Sequence, residues 1–131
     1  MKHKKPSVHI VFNERAEFCI DELSEMETCL ENALTTYSSR CEAEELPDYL
    51  AVEKYKPLII VTEDKRDFQQ FNYIAGDFTH NADTIILWAS DKQKPEKSFL
   101  PVVSWKQLQN CKDMLDWQRI YQLASAPEQP V

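Results

Sequence analysis

An α/β fold, a three-layer sandwich around a parallel sheet of about five strands, is what this sequence predicts, on three observations. Two continuous apolar runs, Leu58-Ile59-Ile60-Val61 and Thr84-Ile85-Ile86-Leu87-Trp88-Ala89, are rich in β-branched residues and lack polar alternation, as strands buried on both faces require. Helical stripes alternate with the strand runs, which implies parallel strands joined by crossing helices. The chain has 131 residues, 43% apolar and 28% charged, enough for one core and unlike a disordered sequence. A single domain over residues 1–124 is expected, with 125–131 as a Pro-containing tail or linker.

In chain order, Ser7-Val8-His9-Ile10-Val11-Phe12 reads as the first strand, and Asn13 can cap the helix after it. From Glu14 to about Tyr37, apolar residues at Cys19, Leu23, Met26, Leu30, Ala33, Leu34 and Tyr37 make a helical stripe. Its opposite face is acidic. Cys41 to Leu46 reads as a short edge strand, and Pro47 suits the first turn of a short helix over Asp48–Tyr55. The run Leu58–Val61 is the central strand. Phe68, Phe71, Ile74 and Ala75 mark an amphipathic helix ending at Gly76, where a left-handed cap is expected. The run from Thr84 is a second buried strand, and the polar stretch Ser90–Lys97, broken by Pro95, is a loop. Phe99 to Val103 is the last strand, placed at an edge by Pro101. Trp105 to Ala124 closes the chain as one helix. The layout is flavodoxin-like.

Composition excludes several functions. Net charge is −7, with twelve acids against seven bases in residues 1–56 and ten against eight in 57–131. Binding to nucleic acid depends on neutralising phosphates, so direct nucleic-acid contact is not expected. No apolar run is long enough for a signal peptide or a membrane span, and the cytoplasm is the expected location. Cys19, Cys29, Cys41 and Cys111 form no Cys-x-x-Cys pair and read as free thiols in a reducing compartment. Gly76 is the only glycine, which excludes Walker, dinucleotide-binding and nucleophile-elbow loops. His9, within a strand, reads as structural, and His80 has no visible partner.

The central strand runs into Thr62-Glu63-Asp64-Lys65-Arg66-Asp67, and strand ends of this kind are where α/β sheets place their chemistry. With strand and helix alternating five times, the layout resembles the receiver domain of bacterial response regulators over nearly the whole chain. Such domains hold magnesium with acids after the first strand, where Phe12-Asn13-Glu14 stands in this chain. They carry a phosphoacceptor aspartate at the end of the third strand, where Thr62 and Glu63 stand, with Asp64 slightly later. Ala89-Ser90 occupies the place of their Thr or Ser after the fourth strand. Val103-Ser104-Trp105 occupies the place of their Lys-Pro, with Lys106 beyond it, and their fourth helix is reduced to a loop. The chain thus resembles the non-phosphorylated receivers at the N-terminus of some enhancer-binding transcription activators. That resemblance implies signalling and transcription regulation through protein contacts, with no cofactor.

Glu63-x-x-x-Asp67 after a buried strand also resembles the first motif of toprim-type nucleases and primases, with Asp91 as a further carboxylate. That alternative implies a magnesium-dependent phosphoesterase centred on Glu63, Asp67 and Asp91, with oxygen ligands suited to the metal. It departs from the family pattern at Asp64, where a glycine belongs, and in having a single aspartate after the second strand. On the closing helix, Leu108, Cys111 and Leu115 form a core stripe, while Met114, Trp117 and Tyr121 form a second stripe on another face. An aromatic and methionine stripe of this kind is expected either to form an interface or to be covered by a neighbouring loop. The expected function is therefore a regulatory protein–protein interaction module that docks a protein partner or homodimerises through Met114, Trp117 and Tyr121, with the magnesium-dependent phosphoesterase as the alternative.

Overall fold

The computed structural model describes residues 7–13, 35–52, 55–78, 83–89, 93–95, 97–110 and 116–125. Five strands form one all-parallel sheet in the order β2-β1-β3-β4-β5: β1 Ser7–Asn13, β2 Thr35–Cys41, β3 Leu58–Thr62, β4 Thr84–Trp88 and β5 Val102–Ser104. The helices are α1 Leu46–Ala51, α2 Lys65–Ala75, α3 Trp105–Asn110 and α4 Trp117–Ser125. This is the expected α/β arrangement, with a flavodoxin-like strand order. No helix among the described residues is long and apolar enough to cross a membrane.

Every residue of β3 and β4 is buried, as their unbroken apolar runs predict. Alternate residues point to opposite faces of a strand, and two separate apolar clusters result. Ile59, Val61, Ile85 and Leu87 join Leu108, Ile120 and Ala124 from α3 and α4. Leu58, Ile60, Ile86 and Trp88 join Leu46, Leu50, Phe68 and Phe71 from α1 and α2.

Several boundaries differ from the sequence-based expectation. Residues 14–34 of the expected first helix lie outside the described residues, but its end does not extend to Tyr37. Thr35–Cys41 is a strand, paired residue for residue with Ser7–Asn13, and it replaces the strand expected at Cys41–Leu46. The helical spacing carried through Ala33, Leu34 and Tyr37, whereas the β-branched pair Thr35-Thr36 and aromatic Tyr37 favour an extended chain. As the outermost strand, β2 needs no apolar run. Residues 43–45 form a 3-10 turn instead, and α1 stops at Ala51, with Val52 extended.

The closing helix is not continuous. Asp116 Oδ1 accepts the Arg119 N–H at 2.7 Å and its carbonyl accepts the Ile120 N–H at 3.0 Å, so Asp116 starts α4 as a new helix. Gly76 does not take the left-handed conformation either. It is right-handed at φ −57° and continues into a 3-10 turn. A Cβ there would meet the exposed Phe99 ring at 2.9 Å, so the ring would have to shift to admit one.

β5 begins at Val102 and not at Phe99, because the Phe99 N–H donates to Asn72 Oδ1 at 2.8 Å and Pro101 has no N–H to give. Its far end is anchored by Gln107. Ser104 and Gln107 bond reciprocally, Ser104 N–H to Gln107 Oε1 at 2.9 Å and Gln107 N–H to Ser104 Oγ at 3.2 Å. Ser-x-x-Gln of this geometry is a capping box. The same Oε1 accepts from Lys94 Nζ at 3.0 Å, and Gln107 Nε2 donates to the Leu123 carbonyl at 2.9 Å. Lys94, only 8% exposed, also donates to the Val102 carbonyl at 2.7 Å.

Gln107→Ala should cost about 2–4 kcal/mol, since it strips partners from a buried N–H, a buried ammonium and a carbonyl. Urea denaturation measures it, and a loss below about 0.5 kcal/mol would mean that Gln107 does not hold these elements together. Gly76→Ala should fail to stabilise the native protein, yet in a Phe99→Ala background it should gain about 0.4–1 kcal/mol through reduced unfolded-state entropy. Equal effects in both backgrounds would show that the ring contact does not constrain residue 76.

Candidate functional site

The carboxyl end of β3 is organised by a helix start. Asp64 is extended (φ −147°, ψ 173°), and its Oδ1 accepts the Asp67 N–H at 2.8 Å while its carbonyl accepts the Phe68 N–H at 3.0 Å. An aspartate in that position satisfies an amide that the first turn leaves without an intrahelical partner. The turn brings Glu63, Asp64 and Asp67 together, with one carboxylate oxygen from each lying within 4.8 Å of the others. Glu63 and Asp67 are half-buried and Asp64 is exposed. Lys65 and Arg66 come immediately after and are exposed.

Of the expected Glu63, Asp67 and Asp91 set, the structure places the first two side by side, and Asp91 lies outside the described residues. The third carboxylate present is Asp64. Three oxygens this close suit a hard cation in type and number for part of a coordination shell. Asp64 also caps α2, through its Oδ1.

The neighbouring strand ends are held by hydrogen bonds within the sheet. Thr62 is buried, its Oγ1 donates to the Leu87 carbonyl at 3.3 Å, and its carbonyl accepts the Ala89 N–H at 2.9 Å. Ser104 ends β5 as the cap of α3. Neither residue is a phosphoacceptor aspartate or a charge-orienting lysine.

Of the expected interface residues, Met114 lies outside the described residues. Trp117 and Tyr121 are half-buried, with ring centroids 6.3 Å apart and planes inclined by 55°. Both pack against the cluster that contains Ile120 and Ala124, and Trp117 Nε1 donates to Asp83 Oδ1 at 3.1 Å. The exposed positions of α4 are Gln118, Arg119, Gln122 and Ser125. The strongly exposed aromatics lie elsewhere: Tyr73 on α2 is 81% exposed and Phe99 56%.

His9 is half-buried beside two tyrosines, stacked on Tyr37 at 5.3 Å and edge-on to Tyr55 at 5.2 Å. Sequence reasoning missed the Ser104–Gln107 box and the Asp116 cap, although both carry visible capping residues.

The chain has no match among protein-family models, curated proteins or solved structures.

If the acidic turn is built around the helix cap, magnesium should leave the backbone amides of residues 63–67 unshifted below about 1 mM. Amide NMR shifts during a magnesium titration measure this. Tighter binding that Asp67→Asn abolishes would make the turn a metal centre.

Proposed function

We propose that this chain is a regulatory interaction module, receiver-like in layout, that acts by contacting a protein partner or a second copy of itself and does not accept a phosphoryl group. One observation carries the reading. The sheet has the parallel order β2-β1-β3-β4-β5, and the ends of its third and fifth strands present Thr62-Glu63 and Ser104. Phosphoryl transfer to a side chain needs a nucleophilic acid, a held cation and a positive group to steady the developing charge. Ser104 is occupied in capping, and buried Lys94 bonds to the Val102 carbonyl and Gln107. Signalling and transcription regulation are the processes this reading suits, with the Trp117–Tyr121 side of α4, together with Met114, as the docking face.

A second reading has one observation in its favour, the closeness of Glu63 and Asp67. It is a magnesium-dependent phosphoesterase centred on Glu63, Asp67 and Asp91.

Incubation with acetyl phosphate and magnesium should leave the intact mass unchanged. A single-phosphoryl adduct lost in Asp64→Ala would refute the reading. On the docking side, sedimentation should give a dimer at about 100 µM that Tyr121→Asp converts to a folded monomer. A wild type that is monomeric at that concentration would exclude self-association through α4.

A further inference from the structure

A cavity of about 490 Å³ lies between one flank of α2 and the stretch containing Gln93, Pro95 and Lys97, at the carboxyl ends of β3 and β4. Its floor is aromatic. Phe68 and Trp88 meet edge to face with centroids 5.9 Å apart and are only 4% and 3% exposed. Lys65, Gln69 and Asn72 line one wall, spaced four and three residues apart and so on one side of the helix. Lys97 stands on the other wall.

Two lysines line the cavity, at the edge of the acidic turn formed by Glu63, Asp64 and Asp67. The chain carries −7, yet the cavity has two lysines against one carboxylate, Asp64, whose Oδ1 already accepts the Asp67 N–H. Lys65 and Lys97 are exposed, and neither has a carboxylate partner among the described residues. Asn72 Oδ1 is taken by the Phe99 N–H, which leaves its Nδ2 donors for another acceptor.

We propose that this cavity binds a small anionic ligand with a planar heteroaromatic ring, about the size of a nucleoside monophosphate. The volume falls within the ~300–1,000 Å³ of small-molecule sites, which combine an apolar lining with a few convergent polar groups. The anion lies between Lys65 and Lys97, the ring fills the apolar interior to which the edges of Phe68 and Trp88 contribute, and the amides of Gln69 and Asn72 meet the ring's polar edge. A triphosphate fits this wall poorly, because two lysines and no glycine-rich loop leave most of its charge unmatched. The site is independent of the docking function proposed above.

The test is titration of the full chain with AMP, GMP, CMP and UMP, followed by amide NMR shifts and tryptophan fluorescence. At least one nucleotide should give saturable shifts in residues 65–72 and at Trp88. Lys65→Ala and Lys97→Ala, both at exposed positions, should each weaken it by roughly tenfold. Asp64→Asn should strengthen it, because asparagine still caps the helix while the repulsive charge is gone. Inorganic phosphate, used as a second probe, should bind far more weakly than the best nucleotide. The proposal is overturned if no nucleotide saturates any shift at ~5 mM, beyond the usual millimolar range of weak ligands. It is equally overturned if phosphate alone binds as well as the nucleotides, or if both lysine variants keep their circular dichroism and the wild-type affinity.

Discussion

A strand with no water on either face must have its peptide groups paired along both edges and its side chains covered on both sides. β3 imposes that constraint on this chain. All five of its residues are buried, β1 and β4 flank it in parallel register, and its alternate side chains feed two different apolar clusters. An unpaired peptide group in such a place costs as much as a lost hydrogen bond, so the neighbours are required. Parallel neighbours in turn require long crossovers, and helical residues supply both clusters. The order of the whole sheet reflects the demands of one short apolar run.

That run was legible in the sequence because burial on both faces removes polar residues altogether. The same held for β4 and for the apolar side of α2. Legibility failed where a strand sits at the margin. β2 has Ser38, Ser39 and Arg40 in its second half, and nothing apolar marked it off from the helical spacing upstream. It failed again in the last twenty residues, where a periodic pattern outweighed a single capping aspartate. The acidic turn was half legible. Glu63, Asp64 and Asp67 could all be placed at a strand end from sequence, but the capping conformation of Asp64 is visible only in the backbone geometry. The cavity beside it was not legible at all, since Lys97 and Trp88 meet α2 only through the sheet.

The carboxyl ends of the strands are taken up largely by structural bonds. Thr62 bonds to β4, Asp64 caps α2, and Ser104 caps α3. Groups that in another α/β protein would face a substrate hold this chain to itself. A cavity lies beside α2, lined by the amides of Gln69 and Asn72 and by Lys65 and Lys97.

The Gln107 amide joins three stretches of chain: the loop at Lys94, the junction of β5 with α3 and the end of α4. Proteins open in cooperative units, and the boundaries of a unit fall where few bonds cross. In this molecule one side chain ties the last third together. Loosening β5 at Ser104 is therefore expected to disturb the start of α3 and the end of α4 as well.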